Sequence, residues 1–118
     1  MIIYIKKRLF LFWKIGKSVC EKQNYCDNVV KKYSTFFSYY YGMSEIFSRS
    51  NILYMLKFYL SFPIYLDIFE NLKFEHYKLL VDINDNECRN FYFRVALFCK
   101  SSVFELRTLI RENIYNYI

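Results

Sequence analysis

With 118 residues, 55% of them hydrophobic, the chain is one domain's worth of sequence with enough apolar surface to bury a core, which excludes intrinsic disorder. Two glycines, one proline and no repeat or low-complexity linker exclude a turn-rich β architecture, leaving an all-α, single compact multi-helix domain over residues 1–118. The net charge of +6 is one-sided, with ten Lys/Arg against three Asp/Glu in residues 1–59 and seven against eight in residues 60–118. Such a balance points either to a polyanion partner for the first half or to solvated, lysine-rich helix faces.

The first helix is expected over about Tyr4–Gln23, where Ile5, Leu9, Phe12, Gly16 and Val19 recur at three- and four-residue spacing. A mid-helix glycine is worse than alanine by about 1 kcal/mol, so Gly16 on the apolar stripe predicts a second helix approaching closely there. The opening "MIIYIKKRLFLFWKIGK" does not read as a targeting segment, because its charges sit in the middle and the run Leu9–Trp13 is short for a signal core. No uncharged run is long enough for a bilayer span, so no membrane is expected. A second helix opens near Asp27 as N-cap, carries Val29, Val30, Tyr33, Phe36, Phe37 and Tyr40, and stops at Gly42.

The stretch "IFSRSNILYMLKFYLSFP" then reads as a helix capped by Ser48 and stopped by Pro63. It is apolar on most sides and therefore expected to be largely buried. Its one polar stripe is Ser50, Tyr54, Lys57 and Ser61, with Arg49 beside it. A short segment follows at Ile64–Phe69, then a helix near Glu75–Val81. Asn84 or Asp85 caps the next helix, with Cys88, Phe91, Tyr92, Val95 and Phe98 on one face. Finally Ser102 and Glu105 form a capping box that opens a last helix with Val103, Leu106, Ile110 and Ile114 inward.

Chemistry-bearing groups are sparse. Cys20, Cys26, Cys88 and Cys99 lack CxxC spacing and His76 is the lone histidine, so no zinc site is expected and the thiols read as buried and free in a reducing cytoplasm. His76 beside apolar neighbours reads as a structural residue rather than a base. Glycine-rich phosphate loops are absent, and no cofactor is expected. Aromatic residues make up 23% of the chain, yet Phe, Tyr, Ile, Lys and Asn together account for about half of it. These are the residues of A/T-rich codons, so the excess by itself argues for no ligand.

A helix, a turn and a second helix opening on Arg49, Ser50 and Asn51 are compatible with a helix-turn-helix, whose second helix presents its N-terminal residues to bases. The turn, about Tyr41–Phe47, is longer than the compact motif's three or four residues. Seven short strings stand in one order: "FWKIGK", "EKQ", "FSRSNI", "MLKFY", "FEHYKLL", "RNFY" and "SVFELRTLI". Together, over roughly Leu9–Ile118, they resemble the N-terminal domain of the YhcG-type nucleases, a bacterial family in which this helical domain precedes a PD-(D/E)XK nuclease domain. The resemblance implies a mostly helical module with helix-turn-helix or winged-helix character, serving nucleic-acid engagement or self-association. It also implies that the nuclease domain is absent from this chain, and no E-x-K or D-x-K triplet occurs to hold Mg²⁺. Departures from the family pattern are Ile46 for a glycine, Phe74 and Ser101 for tryptophans, and Tyr54 and Leu56 at positions often arginine, where the missing charge would weaken phosphate binding.

These readings converge on a non-catalytic, nucleic-acid-associated module, DNA being the expected partner. Arg49, Ser50 and Asn51 at the helix opening are the candidate contacts, with Lys57, Lys31 and Lys32 on phosphates. Two alternatives stay open. One is a protein-interaction module, pairing as a homodimer or with a separate nuclease subunit through exposed apolar and Tyr-rich surface expected on the second and last helices; the other is an idle remnant of a decaying gene.

Overall fold

The computed structural model describes residues 8–22 and 27–117. It contains α1 (Arg8–Glu21), α2 (Asp27–Tyr41), α3 (Arg49–Ser61), α4 (Phe74–Val81), α5 (Asn86–Phe98) and α6 (Val103–Arg111), with short 3-10 helices at Asp67–Asn71 and Ile114–Tyr117. No strand occurs among the described residues, so the chain is all-α as expected and the segment between α3 and α5 forms no β-wing. The elements divide between two compact units, residues 1–66 with α1–α3 and residues 67–118 with α4–α6.

In the first unit, α1 and α3 are the principal pair. Gly16 makes this possible: a Cβ built on it would stand 1.9 Å from the carbonyl oxygen of Met55, so only hydrogen fits where the two backbones meet. The close approach predicted from the glycine's place on the stripe is thus between α1 and α3. Around it, Leu9, Phe12, Ile15 and Val19 of α1 and Ile52, Met55 and Phe58 of α3 are buried. The Trp13 indole donates from Nε1 to the carbonyl of Phe62, the C-cap of α3, at 2.8 Å. Pro63 follows directly, and the helix stops where proline forbids its continuation.

α2 touches α1 only lightly and is fastened mainly through Phe47, which has no exposed surface. The Phe47 ring lies 5.4–6.0 Å from those of Tyr41, Phe37 and Phe12. Such ring pairs add about 0.5–1.5 kcal/mol each beyond area burial. Ser34 Oγ donates to the Phe47 carbonyl at 2.6 Å, and the Ser18 and Tyr33 hydroxyls lie 2.6 Å apart between α1 and α2. Gly42, at φ +65°, ends α2 in the left-handed conformation that glycine adopts without strain.

The second unit is pinned by side chains bonded to backbone. His76 sits at the third position of α4, and its Nδ1 accepts the Lys73 N–H at 3.0 Å as a capping-box carboxamide would. Its Nε2 lies 2.9 Å from the Ser101 carbonyl, which fixes the Nε2–H tautomer. Asp85 caps α5, accepting the Cys88 N–H at 3.1 Å. Ser102 and Glu105 form the expected capping box at α6, with bonds of 3.0 and 2.8 Å. The Tyr77 hydroxyl donates to Phe69 O at 2.7 Å, and the Tyr92 hydroxyl donates to Leu109 O and accepts the Tyr115 N–H.

Several expectations need correction. Asp27 is the first helical residue of α2 rather than its cap. The short segment after Pro63 is a 3-10 helix at Asp67–Asn71 instead of Ile64–Phe69. On α5 the buried residues are Arg89, Tyr92 and Ala96, a face rotated by about 100°, one residue, from the expected one. Phe98 falls on the opposite side and is 76% exposed. On α3, Leu53 and Leu60 are exposed, although periodicity predicts that the helix hides its apolar side. The thiols are not buried: Cys20 and Cys88 are half-buried and Cys99 is exposed, while Cys26 lies outside the described residues.

Candidate nucleic-acid interface

The α3 opening is built by a local hydrogen-bond cluster. Ser48 holds extended geometry, φ −61° and ψ 160°, and its Oγ accepts the Asn51 N–H at 3.3 Å. Asn51 turns its amide back onto the preceding turn, with Nδ2 donating to Glu45 O at 3.1 Å and Ile46 O at 3.0 Å. Both amide hydrogens are therefore engaged, and Asn51 shapes the opening instead of presenting a donor pair outward. Arg49 and Ser50 are exposed on the first turn, and the Ser48 and Ser50 hydroxyls lie 3.4 Å apart.

Two turns along, Lys57 is exposed, with its ammonium 5.2 Å from the Tyr54 ring centroid. Ser50 and Lys57 thus share an exposed stripe, but its other members are Leu53 and Leu60 rather than further cations. Tyr54 and Ser61 of the expected stripe are half-buried. Leu56, where the resemblance implies an arginine, is 5% exposed. In this chain that position is core, so the leucine there takes no phosphate ligand away from the surface.

Lys31 and Lys32 part company. The Ser34–Phe47 bond ties mid-α2 to the residue before the α3 cap, and Lys31 lies one turn before Ser34 on that side. Lys32 instead lines the groove between α1 and α2, together with Lys14. Along α1 the cations lie over rings of their own helix: Arg8 over Phe12, Lys14 over Phe10 and Lys17 over Trp13, at 5.4–5.7 Å. Lys17 also stands 3.9 Å from Glu21, an exposed pair worth little in stability.

Elsewhere the ionisable groups serve the fold. Partial burial and the Asp85 carboxylate push the Cys88 thiol above its ordinary value, against a nucleophilic thiolate, with Arg89 partly offsetting them. Partial burial, then Glu87 and Asp85, raise the Tyr115 hydroxyl. The Ser102 N–H and hydroxyl hold the Glu105 carboxyl below the usual range. Both nitrogens of His76 are engaged by backbone. Among the described residues no group of three or more His, Cys, Asp or Glu could hold a metal ion, and no helix is long and apolar enough to cross a membrane.

Sequence reasoning missed Arg89, 8% exposed, whose guanidinium donates to Asn86 Oδ1 and Ile83 O at 2.6 Å and to Asn84 O at 3.4 Å. The available signal was its place in the first turn of α5, just after the short linker from α4, whose Ile83 and Asn84 carbonyls it bonds. The Tyr-rich surface expected on the second helix is exposed: Phe36 is 59%, Tyr39 90% and Tyr40 64% exposed.

The chain matches the DUF1016 N-terminal domain over residues 5–117. It matches no curated protein and no solved structure. The strings behind the resemblance fall largely on structural positions: Trp13 and Gly16, Ser48 and Asn51, Met55 and Phe58, His76, Arg89 and Tyr92, and Ser102 with Glu105. The likeness is therefore first a likeness of fold. The chain belongs to the DUF1016 N-terminal domain family, the N-terminal domain associated with YhcG-type nucleases.

Proposed function

We propose that this is a non-catalytic helical module that engages nucleic acid, duplex DNA at the α3 opening, in the service of a nuclease supplied as a further domain or a separate subunit. The observation that carries the reading is the charge division. Residues 1–66 hold ten Lys/Arg against three Asp/Glu, a net of +7, and residues 67–118 hold seven against eight, a net of −1. Within the first unit Arg8, Lys14, Lys17, Lys22, Lys31, Lys32, Arg49 and Lys57 are all exposed. Phosphate neutralisation supplies most non-specific affinity, and a unit of this charge is suited to it.

In this reading Arg49 and Lys57 contact phosphates, Lys31 adds a third contact from α2, and the Ser50 hydroxyl bonds a phosphate oxygen at the helix N-terminus. Asn51 keeps the opening in shape. Titrating a labelled duplex at about 50 and 200 mM salt tests this. Binding is expected at the lower salt and to weaken steeply at the higher. Arg49→Ala with Lys57→Ala is expected to flatten the log–log salt slope by about 1.8, or about 0.9 for each phosphate no longer neutralised. Absence of binding at about 50 mM salt would overturn the reading, because the electrostatic contribution is then large.

A further inference from the structure

The α1–α2 side of the first unit carries a second surface that the α3 reading does not use. Because both helices pack on α3 and only lightly on each other, a groove of about 520 Å³ remains between them, lined by Leu11, Lys14, Ile15, Lys32, Phe36 and Phe37 among others. It adjoins an open recess of about 620 Å³ bounded by Lys31, Lys32, Phe36 and Tyr39. Lys32 and Phe36 line both, and no carboxylate lines either. Phe36 and Tyr40 are parallel rings, 15° apart at 5.9 Å, and Tyr39 is 90% exposed beside them.

Exposed apolar residues scattered singly need no explanation, but three rings within two successive turns of one helix form a patch. Its edge bears Lys14, Lys31 and Lys32, all exposed. Flat rings standing beside lysines, over an open recess, have the make-up of a stacking platform with phosphate contacts. Bases of a duplex already stack on one another, so unpaired bases are the ligand class that such rings accept.

We infer that the α1–α2 face binds single-stranded nucleic acid, with bases stacked on Phe36, Tyr39 and Tyr40 and phosphates held by Lys14, Lys31 and Lys32. The inference shares its ligand class and Lys31 with the proposed function but rests otherwise on different residues. Lys32 belongs to this face alone, while Lys31 stands between it and the α3 opening. A strand unpaired beside a bound duplex would then be held on one side of the unit while α3 engages the duplex.

The test is fluorescence anisotropy of the whole chain with a labelled oligothymidylate of about 15 nucleotides, within the range of known single-strand sites, and with a duplex. Tyr39→Ala, at a position too exposed to disturb folding, is expected to weaken single-strand binding about 5-fold or more, with duplex binding unchanged within about twofold. Phe36→Ala, Tyr39→Ala and Tyr40→Ala together are expected to weaken it about 100-fold. Lys31→Ala with Lys32→Ala should flatten the single-strand salt slope by about 1.4. Single-strand binding without duplex binding would leave this inference standing and remove the α3 reading. Undiminished single-strand affinity in the triple variant overturns the inference, as do equal losses on both probes and no wild-type single-strand binding. Conversion of a self-associating wild type to a monomer by the triple variant, with single-strand affinity unchanged, assigns the face to a second copy of the chain and likewise overturns it.

Discussion

The two units of this chain are stabilised in different ways and carry different charge. The first joins α1 to α3 by direct backbone approach at Gly16 and fastens α2 through the rings around Phe47. Trp13, Ser34, Ser48 and Asn51 also bond main-chain groups there, but its lysines and arginines among the described residues are exposed, and its net charge is +7. The second spends its polar side chains on backbone: His76, Tyr77, Arg89, Tyr92 and Ser102 all bond main-chain groups. Its net charge is −1. The second unit exposes cations too, Arg107 and Arg111 among them, but its acids outnumber its bases, whereas in the first the bases outnumber the acids by seven.

The strongest way to break this contrast is at the helix crossing. Gly16→Val would drive a branched side chain into the Met55 carbonyl, and overpacking against backbone has no flexible neighbour to absorb it. A loss of about 3 kcal/mol or more is expected, read as a lower urea midpoint in circular dichroism. A variant as stable as the wild type would show that α1 and α3 do not meet at Gly16.

A smaller effect is expected in the second unit from Arg89→Met, which keeps the hydrocarbon volume but leaves the Ile83 and Asn84 carbonyls without their charged donor. Destabilisation of about 2–3 kcal/mol is expected, with nucleic-acid affinity unaltered once the folded fraction is accounted for. Loss of affinity in the folded variant would show that the second unit contributes to binding and would blur the comparison.

The smallest effect is at Glu105. Its folded carboxyl lies below the ordinary 4.5, so below that pH the unfolded chain binds protons that the folded chain does not. The stability from the capping box is present above about pH 4.5 and lost as pH falls through the depressed folded value. Glu105→Gln retains an acceptor for the Ser102 N–H and removes this ionisation. The acid-side fall in melting temperature is expected to be shallower in the variant, with the two curves close at neutral pH. Parallel curves would mean the capping carboxylate has no special role.

Features decided within one turn of chain were legible in the sequence. Gly16 on an apolar stripe, Ser48 before an apolar run and the Ser102–Glu105 spacing each announce their structure locally. What depended on tertiary surroundings was not. A buried arginine reads as surface until the Ile83 and Asn84 carbonyls are seen to face it, and Asn51 reads as a presented amide until the turn carbonyls take both its hydrogens. Periodicity gives the direction of an apolar face but not its width, so Phe98 and Leu53 read as inward and stand exposed. Of the candidate site, the exposure of Ser50 and Lys57 on one stripe, with Arg49 beside it, was legible from sequence, but that of Tyr54 and Ser61, which are half-buried, was not. The groove at Lys32 required knowing that α1 and α2 separate.

Whether the first unit binds nucleic acid is decided by two charge-matched variants of the whole chain, compared in one salt titration. Arg49→Ala with Lys57→Ala removes two exposed cations from the first unit, and Arg107→Ala with Arg111→Ala removes two from the second. The expected result is a duplex salt slope shallower by about 1.8 in the first variant and unchanged in the second. Equal flattening in both, or a weakening confined to the second, would contradict it.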